Sequence, residues 1–330
     1  MRKTGHLALI LLSTVVLLYS CSKSDSRNTK KYDLTSKGRT VPGFSADSAY
    51  QDVVKQLQWG PRVPNTKAHD QERQWIVNQM NRFAGSSMVF QQNFDIKGYS
   101  NDTLHLTNII AAFNPNDHDR IMISTHWDTR PRSDQDPDKS YQDKPIPGAD
   151  DGASGVAVLL EMARQFQKNP PPFGVDLVFW DGEDYGKSGE DNYYFLGSRY
   201  WAQHPPVPGY NPRFGILLDM VGGKNAHFPK EGASYSYAPF LVNAIWKVAG
   251  QVGLDTLFTD EQTPGVTDDH TVLNQYMNFP TIDIINHRVE GGQVHFPPYW
   301  HTHKDDLSII DPNTMKAVGH LMLELVYNRL

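Results

Sequence analysis

Five short stretches of this chain set carboxylates or imidazoles against apolar runs: His126 and Asp128 after 121–125, Asp150 and Asp151 ahead of a helical pattern, Glu183 and Asp184 after 175–180, Asp219 after 216–218, and His301 within Tyr299-Trp300-His301-Thr302. Oxygen and nitrogen donors without a thiolate suit a catalytic Zn²⁺, which takes three protein ligands and keeps a position open for water or substrate. Each piece alone has a plainer reading. Asp150 or Asp151 could cap the helix that follows, where a carboxylate satisfies free N–H groups. Glu183-Asp184 reads equally well as a solvated acidic turn, Asp219 as a turn residue and His301 as a hydrogen-bonded structural histidine. The combination decides between them, because clustered carboxylates repel one another unless a cation offsets the charge.

Such groups converge only if the elements before them lie in one sheet. The β-branched runs 106–113, 121–124, 175–180, 214–218 and 281–285 read as strands, several apolar on both faces, as in a sheet covered on both sides. Tyr50, Val53, Val54 and Leu57 recur at helical spacing, as do Trp75, Ile76, Met80 and Phe83. The segments 156–166, 240–248 and 315–326 also read as amphipathic helices. This alternation predicts a three-layer α/β/α sandwich with a central mixed, mostly parallel sheet, whose site lies beyond the carboxyl ends of the strands.

The chain has 330 residues, 39% of them hydrophobic, which fits one large α/β domain. A formal net charge of −6 carries no basic footprint for nucleic acid, and no second apolar run is long enough to cross a bilayer. The N-terminus differs from the rest. Arg2 and Lys3 precede the apolar run 7–18 and then Leu18-Tyr19-Ser20-Cys21, the layout of a secretory signal. Cys21 is the only cysteine of the chain, so no intramolecular disulfide forms. Its place after the apolar run resembles the lipobox of bacterial lipoproteins. The expected organisation is a lipoprotein signal at 1–20, a polar flexible tether at 21–45 and a catalytic domain at 46–330, exported to the periplasm, held to a membrane through a lipid on Cys21, and monomeric.

Taken together, His126-Trp127-Asp128, Gly148-Ala149-Asp150-Asp151-Gly152-Ala153-Ser154-Gly155, Asp181-Gly182-Glu183-Asp184, Leu218-Asp219-Met220 and His301-Thr302 resemble the zinc aminopeptidase fold. Within it the surroundings are similar to the animal-type glutaminyl-peptide cyclotransferases: Asn108-Ile109-Ile110, Leu196-Gly197-Ser198-Arg199, the run from Leu217 to Gly223 with His227-Phe228-Pro229, Asp268-Asp269-His270, and Phe296-Pro297-Pro298-Tyr299-Trp300-His301-Thr302. The resemblance implies a zinc enzyme that cyclises N-terminal glutamine of peptides and proteins to pyroglutamate. In the cyclases one zinc is held at the positions matching Asp151, Asp184 and His301. In the two-zinc aminopeptidases His126 and Asp219 complete the set, with Asp151 as bridge. Glu183 would be the proton carrier in either chemistry, Asp219 and Asp268 its carboxylate partners, and Trp300, Phe296 and Thr267 the substrate-binding wall. This chain departs from the animal pattern at Asp184, where those enzymes have Glu, at Asp283, where they have His, and in the length of 185–195.

In the cyclase reading zinc polarises the glutamine amide, the peptide's own α-amine attacks, and Glu183 shuttles the proton to the departing ammonia. The rival reading is a two-zinc aminopeptidase, in which Glu183 activates the attacking water. A third is a lipid-anchored binding protein that keeps the pocket without catalysis; retention of Glu183 argues against it.

Overall fold

The computed structural model describes residues 32–277 and 279–330. The signal segment 1–20, Cys21 and the tether residues 21–31 lie outside the described residues. In chain order the elements are α1 (Ala46–Leu57), α2 (Lys67–Ala84), β1 (Val89–Lys97), β2 (Thr103–Phe113), β3 (Arg120–His126), α3 (Ala153–Lys168), β4 (Gly174–Trp180), α4 (Leu196–Gln203), β5 (Gly215–Asp219), β6 (Phe228–Lys230), α5 (Gly232–Tyr237), α6 (Pro239–Gln251), β7 (Phe258–Gln262), α7 (Asp269–Met277), β8 (Thr281–Ile285), β9 (Arg288–Glu290), β10 (Gln293–His295) and α8 (Pro312–Glu324).

The expected covered sheet is present, with order β1-β2-β4-β3-β5-β8. β4, β3, β5 and β8 run parallel, and β1 and β2 add two antiparallel strands at one edge. Alternate residues of the apolar runs serve the two faces. Ile121, Ile123, Leu177, Phe179, Ile216 and Leu218 join the main core with α1, α2, α3, α6 and α8. Met122, Val178, Trp180 and Leu217 pack with Trp201 of α4 and Leu273 of α7 on the other face. Helices on both faces are what make every residue of β4 buried.

The chain leaves β3 for β4 on one side and then returns across it to β5 on the other. That reversal opens a crevice at the carboxyl ends of β3, β4 and β5, the usual place for a ligand in such sheets. α3 comes very close to the crevice floor through Gly155. A Cβ there would meet the side chain of Thr125 and stand 2.9 Å from the Leu218 carbonyl. Gly155→Ala is therefore expected to push α3 off β3 and β5 and to lower stability by about 1–3 kcal/mol, seen as a lower midpoint of thermal unfolding.

One boundary is corrected. Residues 32–45 form no regular element, but they are not free tether: Leu34 and Phe44 are buried in the main core, and Phe44 lies over Gly319 of α8. The Asn328 side chain accepts from Ser36 and from the N–H groups of Lys37 and Arg39. The packed domain thus begins before Ala46. Two apolar residues ten positions apart leave no period in the sequence, which is why the polar composition between them dominates the reading.

Candidate metal centre and its pocket

All the acidic stretches arrive at the crevice. His126 ends β3, Asp151 stands just before α3, Glu183 and Asp184 follow β4, and Asp219 ends β5. Asp268 precedes α7, and His301 lies on the loop after β10. The His126 Nε2 is 3.1 Å from an Asp151 oxygen and 3.3 Å from Asp219. The His301 Nε2 is 3.5 Å from the other Asp151 oxygen and 3.4 Å from Asp184. Two donor groups therefore share Asp151: one with His126 and Asp219, the other with Asp184 and His301, each with its donor atoms within 4.8 Å of one another.

These donors are close yet not satisfied by one another. Both ring nitrogens of His126, one oxygen of Asp184 and one of Asp219 are buried without a hydrogen-bond partner. Unpartnered buried polar atoms are costly, and the His126 Nε2, the Asp219 oxygen and the Asp184 oxygen are members of the two donor groups, as expected of atoms available to a cation. The imidazole and carboxylate set, with no sulfur, fits zinc.

The surrounding side chains hold the donors in place. Asp128 accepts the N–H groups of Glu183 at 2.9 Å and Asp184 at 3.2 Å, fixing the turn after β4. Arg130 donates to one Asp184 oxygen at 2.7 Å, leaving the other turned to His301. Asp305 accepts from the N–H groups of Asp150 and Asp151. Asp150 is not the helix cap its position allows: its carboxylate accepts from Gly222 N–H at 2.7 Å and Tyr299 O–H at 2.6 Å, and the cap position of α3 is Gly152, which makes no side-chain bond. Such outer partners orient ligands and set their basicity. Arg130 and Asp305 are absent from the sequence-based set. The signal was proximity alone, Arg130 four residues past His126 and Asp305 four past His301.

A cavity of about 280 Å³ opens over the second donor group. Of the residues expected to bind metal, carry the proton or contact substrate, Asp151, Glu183, Asp184, Asp219, Asp268, Thr267, Phe296, Trp300 and His301 line it and His126 does not. Trp300 stacks on His301 with ring centroids 3.6 Å apart, and Phe296 leans on Trp300 at 4.4 Å. From the 185–195 segment, Tyr194 and Phe195 also line the cavity. Periodicity gave no hint of them.

The backbone marks the same place. Seven non-glycine residues have positive φ among the described residues; four are Asn, which tolerates it, and the others are Phe195 (58°), Met220 (49°) and His301 (54°). All three line this cavity. Left-handed backbone at such residues costs about 1–3 kcal/mol each and persists where the surroundings enforce it, typically at functional sites.

Charge in the pocket is uneven. Burial pushes the Glu183 carboxyl well above the usual range, with Asp184, Asp268 and Asp269 adding to the push against the attraction of His126. Burial raises Asp268 as well, reinforced by Asp219 and Asp269. Asp184 goes the other way: although burial opposes ionisation, His301 and Arg130 hold its carboxyl below the usual range. One acid is thus kept ionised, the form a metal ligand needs, while its neighbour Glu183 readily holds a proton. Asp283 lies 3.7 Å from His270, and neither its oxygens nor the ring nitrogens have a hydrogen-bond partner. Glu231 stands 3.2 Å from the other nitrogen of the same ring.

The model of Peptidase family M28 matches residues 108–326. The chain is 26% identical over 276 residues to a glutaminyl-peptide cyclotransferase of Drosophila melanogaster, covering 76% of this chain and 72% of that protein. Among solved structures it is similar to Bacteroides thetaiotaomicron glutaminyl cyclase bound to N-acetylhistamine, with a TM-score of 0.84 and 44% identity over 88% of this chain and 100% of that one. It is also similar to a Zn-dependent exopeptidase from Parabacteroides distasonis, with a TM-score of 0.83 and 42% identity over 88% of this chain and 100% of that one. Its donor set, its sheet and this match over about two thirds of its length agree: the chain belongs to peptidase family M28.

Proposed function

We propose that this chain is a zinc-dependent glutaminyl-peptide cyclotransferase, which converts N-terminal glutamine of peptides and proteins to pyroglutamate and releases ammonia. The observation that carries the reading is the small cavity in which Glu183, outside both donor groups, stands beside Asp184 and faces an aromatic wall of Trp300 and Phe296. It is supported by the likeness to a bacterial glutaminyl cyclase at 44% identity. One zinc, held by Asp151, Asp184 and His301, supplies a Lewis acid for the amide carbonyl when bound.

The rest belongs to the chain's own groups. Trp300 and Phe296 offer flat apolar surface to the side-chain amide, and Thr267 and Asp268 line the same pocket. The buried site holds the α-amine near the amide carbon, so the attack is intramolecular and orientation supplies much of the rate. The new bond joins the α-nitrogen to the amide carbon, and the bond to the amide nitrogen breaks. Glu183 takes the proton lost by the amine and returns it to the departing nitrogen, so its carboxylate ends as it began. Asp219 and Asp268 keep that proton within a carboxylate network rather than losing it to solvent. We further propose export as a monomer with a lipid on Cys21 holding it at the periplasmic side of a membrane.

A second reading is favoured by the donor group of His126, Asp151 and Asp219, which would suit a second zinc and an aminopeptidase. Incubating the enzyme with a Gln-initiated and an Ala-initiated peptide separates the two. Loss of about 17 Da, one ammonia, from the Gln peptide alone is the expected result. Removal of the first residue from either peptide would instead establish the aminopeptidase.

A further inference from the structure

The cavity over the donor group has room for about one residue, being just below the roughly 300–1,000 Å³ of drug-sized ligand sites. The remainder of any peptide substrate must therefore lie outside it. A second, larger cleft of about 900 Å³ adjoins the cavity, and the two share one side chain, Phe296. Along the loop after β10 the residues divide between them: Trp300 and His301 face the inner cavity, whereas Pro297, Pro298 and Tyr299 face the outer cleft.

The two spaces differ in the groups that line them. The inner cavity is lined by Asp151, Glu183, Asp184, Asp219 and Asp268. The outer cleft carries Lys224, Arg288 and Lys304 and a single acid, Glu290. None of these three cations forms an ion pair with a carboxylate among the described residues. Lys224 donates to the Ser308 carbonyl and Arg288 to that of Asn225, contacts that position the side chains while leaving their charge uncompensated. In a chain of net charge −6, three unpaired exposed cations in one cleft beside the site are a local reversal of sign.

A peptide whose N-terminal glutamine fills the inner cavity and whose following residues are acidic places those residues against the cations of the outer cleft. We infer that the outer cleft is the subsite for the downstream part of the substrate and that Lys224, Arg288 and Lys304 select acidic residues there. This rests on the cyclase reading, which fixes the peptide's N-terminus in the inner cavity. Because all three cations are exposed, their selection is electrostatic, strongest at low ionic strength and read mainly in KM.

The test uses the zinc-loaded enzyme and two Gln-initiated peptides of equal length that differ only in carrying Glu or Lys from the third residue onward. The ratio of their kcat/KM values, measured on the same preparation, does not depend on how much of it is active. The expected ratio is about five- to tenfold in favour of the Glu peptide at low salt, shrinking towards one as salt is added. In the double variant Arg288→Glu and Lys304→Glu, both surface changes, the preference falls away or inverts. A wild-type ratio near one, or a preference that persists in the variant, overturns the subsite. Cyclisation of neither peptide overturns the cyclase reading itself, a result distinct from cyclisation of both at equal rates.

Discussion

Replacing Glu183 by glutamine lowers kcat for cyclisation of a Gln-initiated peptide by about 10²–10⁴-fold, the range that a positioned proton carrier supplies, while zinc content and thermal unfolding stay close to the parent. The change removes the titratable oxygen and little else. Glu183 belongs to neither donor group, so the donors proposed for zinc, Asp151, Asp184 and His301, are left in place. Its backbone N–H remains bound to Asp128, which holds the turn after β4 in place. Its carboxyl is already pushed towards the neutral form by burial and by Asp184, Asp268 and Asp269. A neutral amide of the same shape relieves that repulsion and gives up the attraction of His126 at 3.7 Å, two opposing changes that leave stability close to the parent. The measurement is kcat alongside metal analysis and a melting curve. A variant that keeps parental kcat would remove Glu183 from the chemistry, and one that loses zinc would move it into the coordination shell.

How much of this was legible in the sequence depends on what each residue's signal was. β3, β4, β5 and β8 stood out because helices cover both faces, so each is buried almost throughout and carries apolar residues on both faces. β1 did not, since it is an edge strand bearing Gln91, Gln92, Asn93 and Asp95 and buries little besides Phe94. Its place is set by pairing with β2, a partner that composition does not encode. The three-residue strands β6, β9 and β10 likewise exist through their neighbours. At the site, the carboxylates and imidazoles were readable because polar groups at the ends of apolar strands are rare without a purpose. Arg130 and Asp305 escaped because their work is done through backbone and side-chain contacts to other residues, visible only in three dimensions. Phe195 and Met220 escaped for another reason: a positive φ at a bulky residue leaves no trace in residue type.

The two donor groups make different demands on metal, and substituting one histidine from each separates them. His301→Ala removes one of the three ligands of the proposed single zinc. Changing an outer partner of a ligand typically costs about 10–100-fold in affinity or activity, so loss of the ligand itself is expected to weaken zinc by more than about 100-fold and to abolish cyclisation. Trp300, which stacks on that ring at 3.6 Å, also loses its support, so the pocket wall and the metal fail together. His126→Ala removes a donor from the group formed with Asp151 and Asp219 alone. It leaves Asp151, Asp184 and His301 intact, and the expected protein still binds about one equivalent of zinc, as a three-ligand catalytic site requires. Metal analysis of the parent and both variants, purified with zinc and dialysed against a weak chelator, reads this directly. A parent with two equivalents, reduced to one by His126→Ala, would mean that Asp151 bridges two ions and would transfer the site to aminopeptidase chemistry. One equivalent in the parent, kept in His126→Ala and lost in His301→Ala, leaves the His126 and Asp219 side chains free of metal. Asp219 is then available to the proton network of Glu183 and Asp268, which an intramolecular cyclisation needs and a second cation would quench.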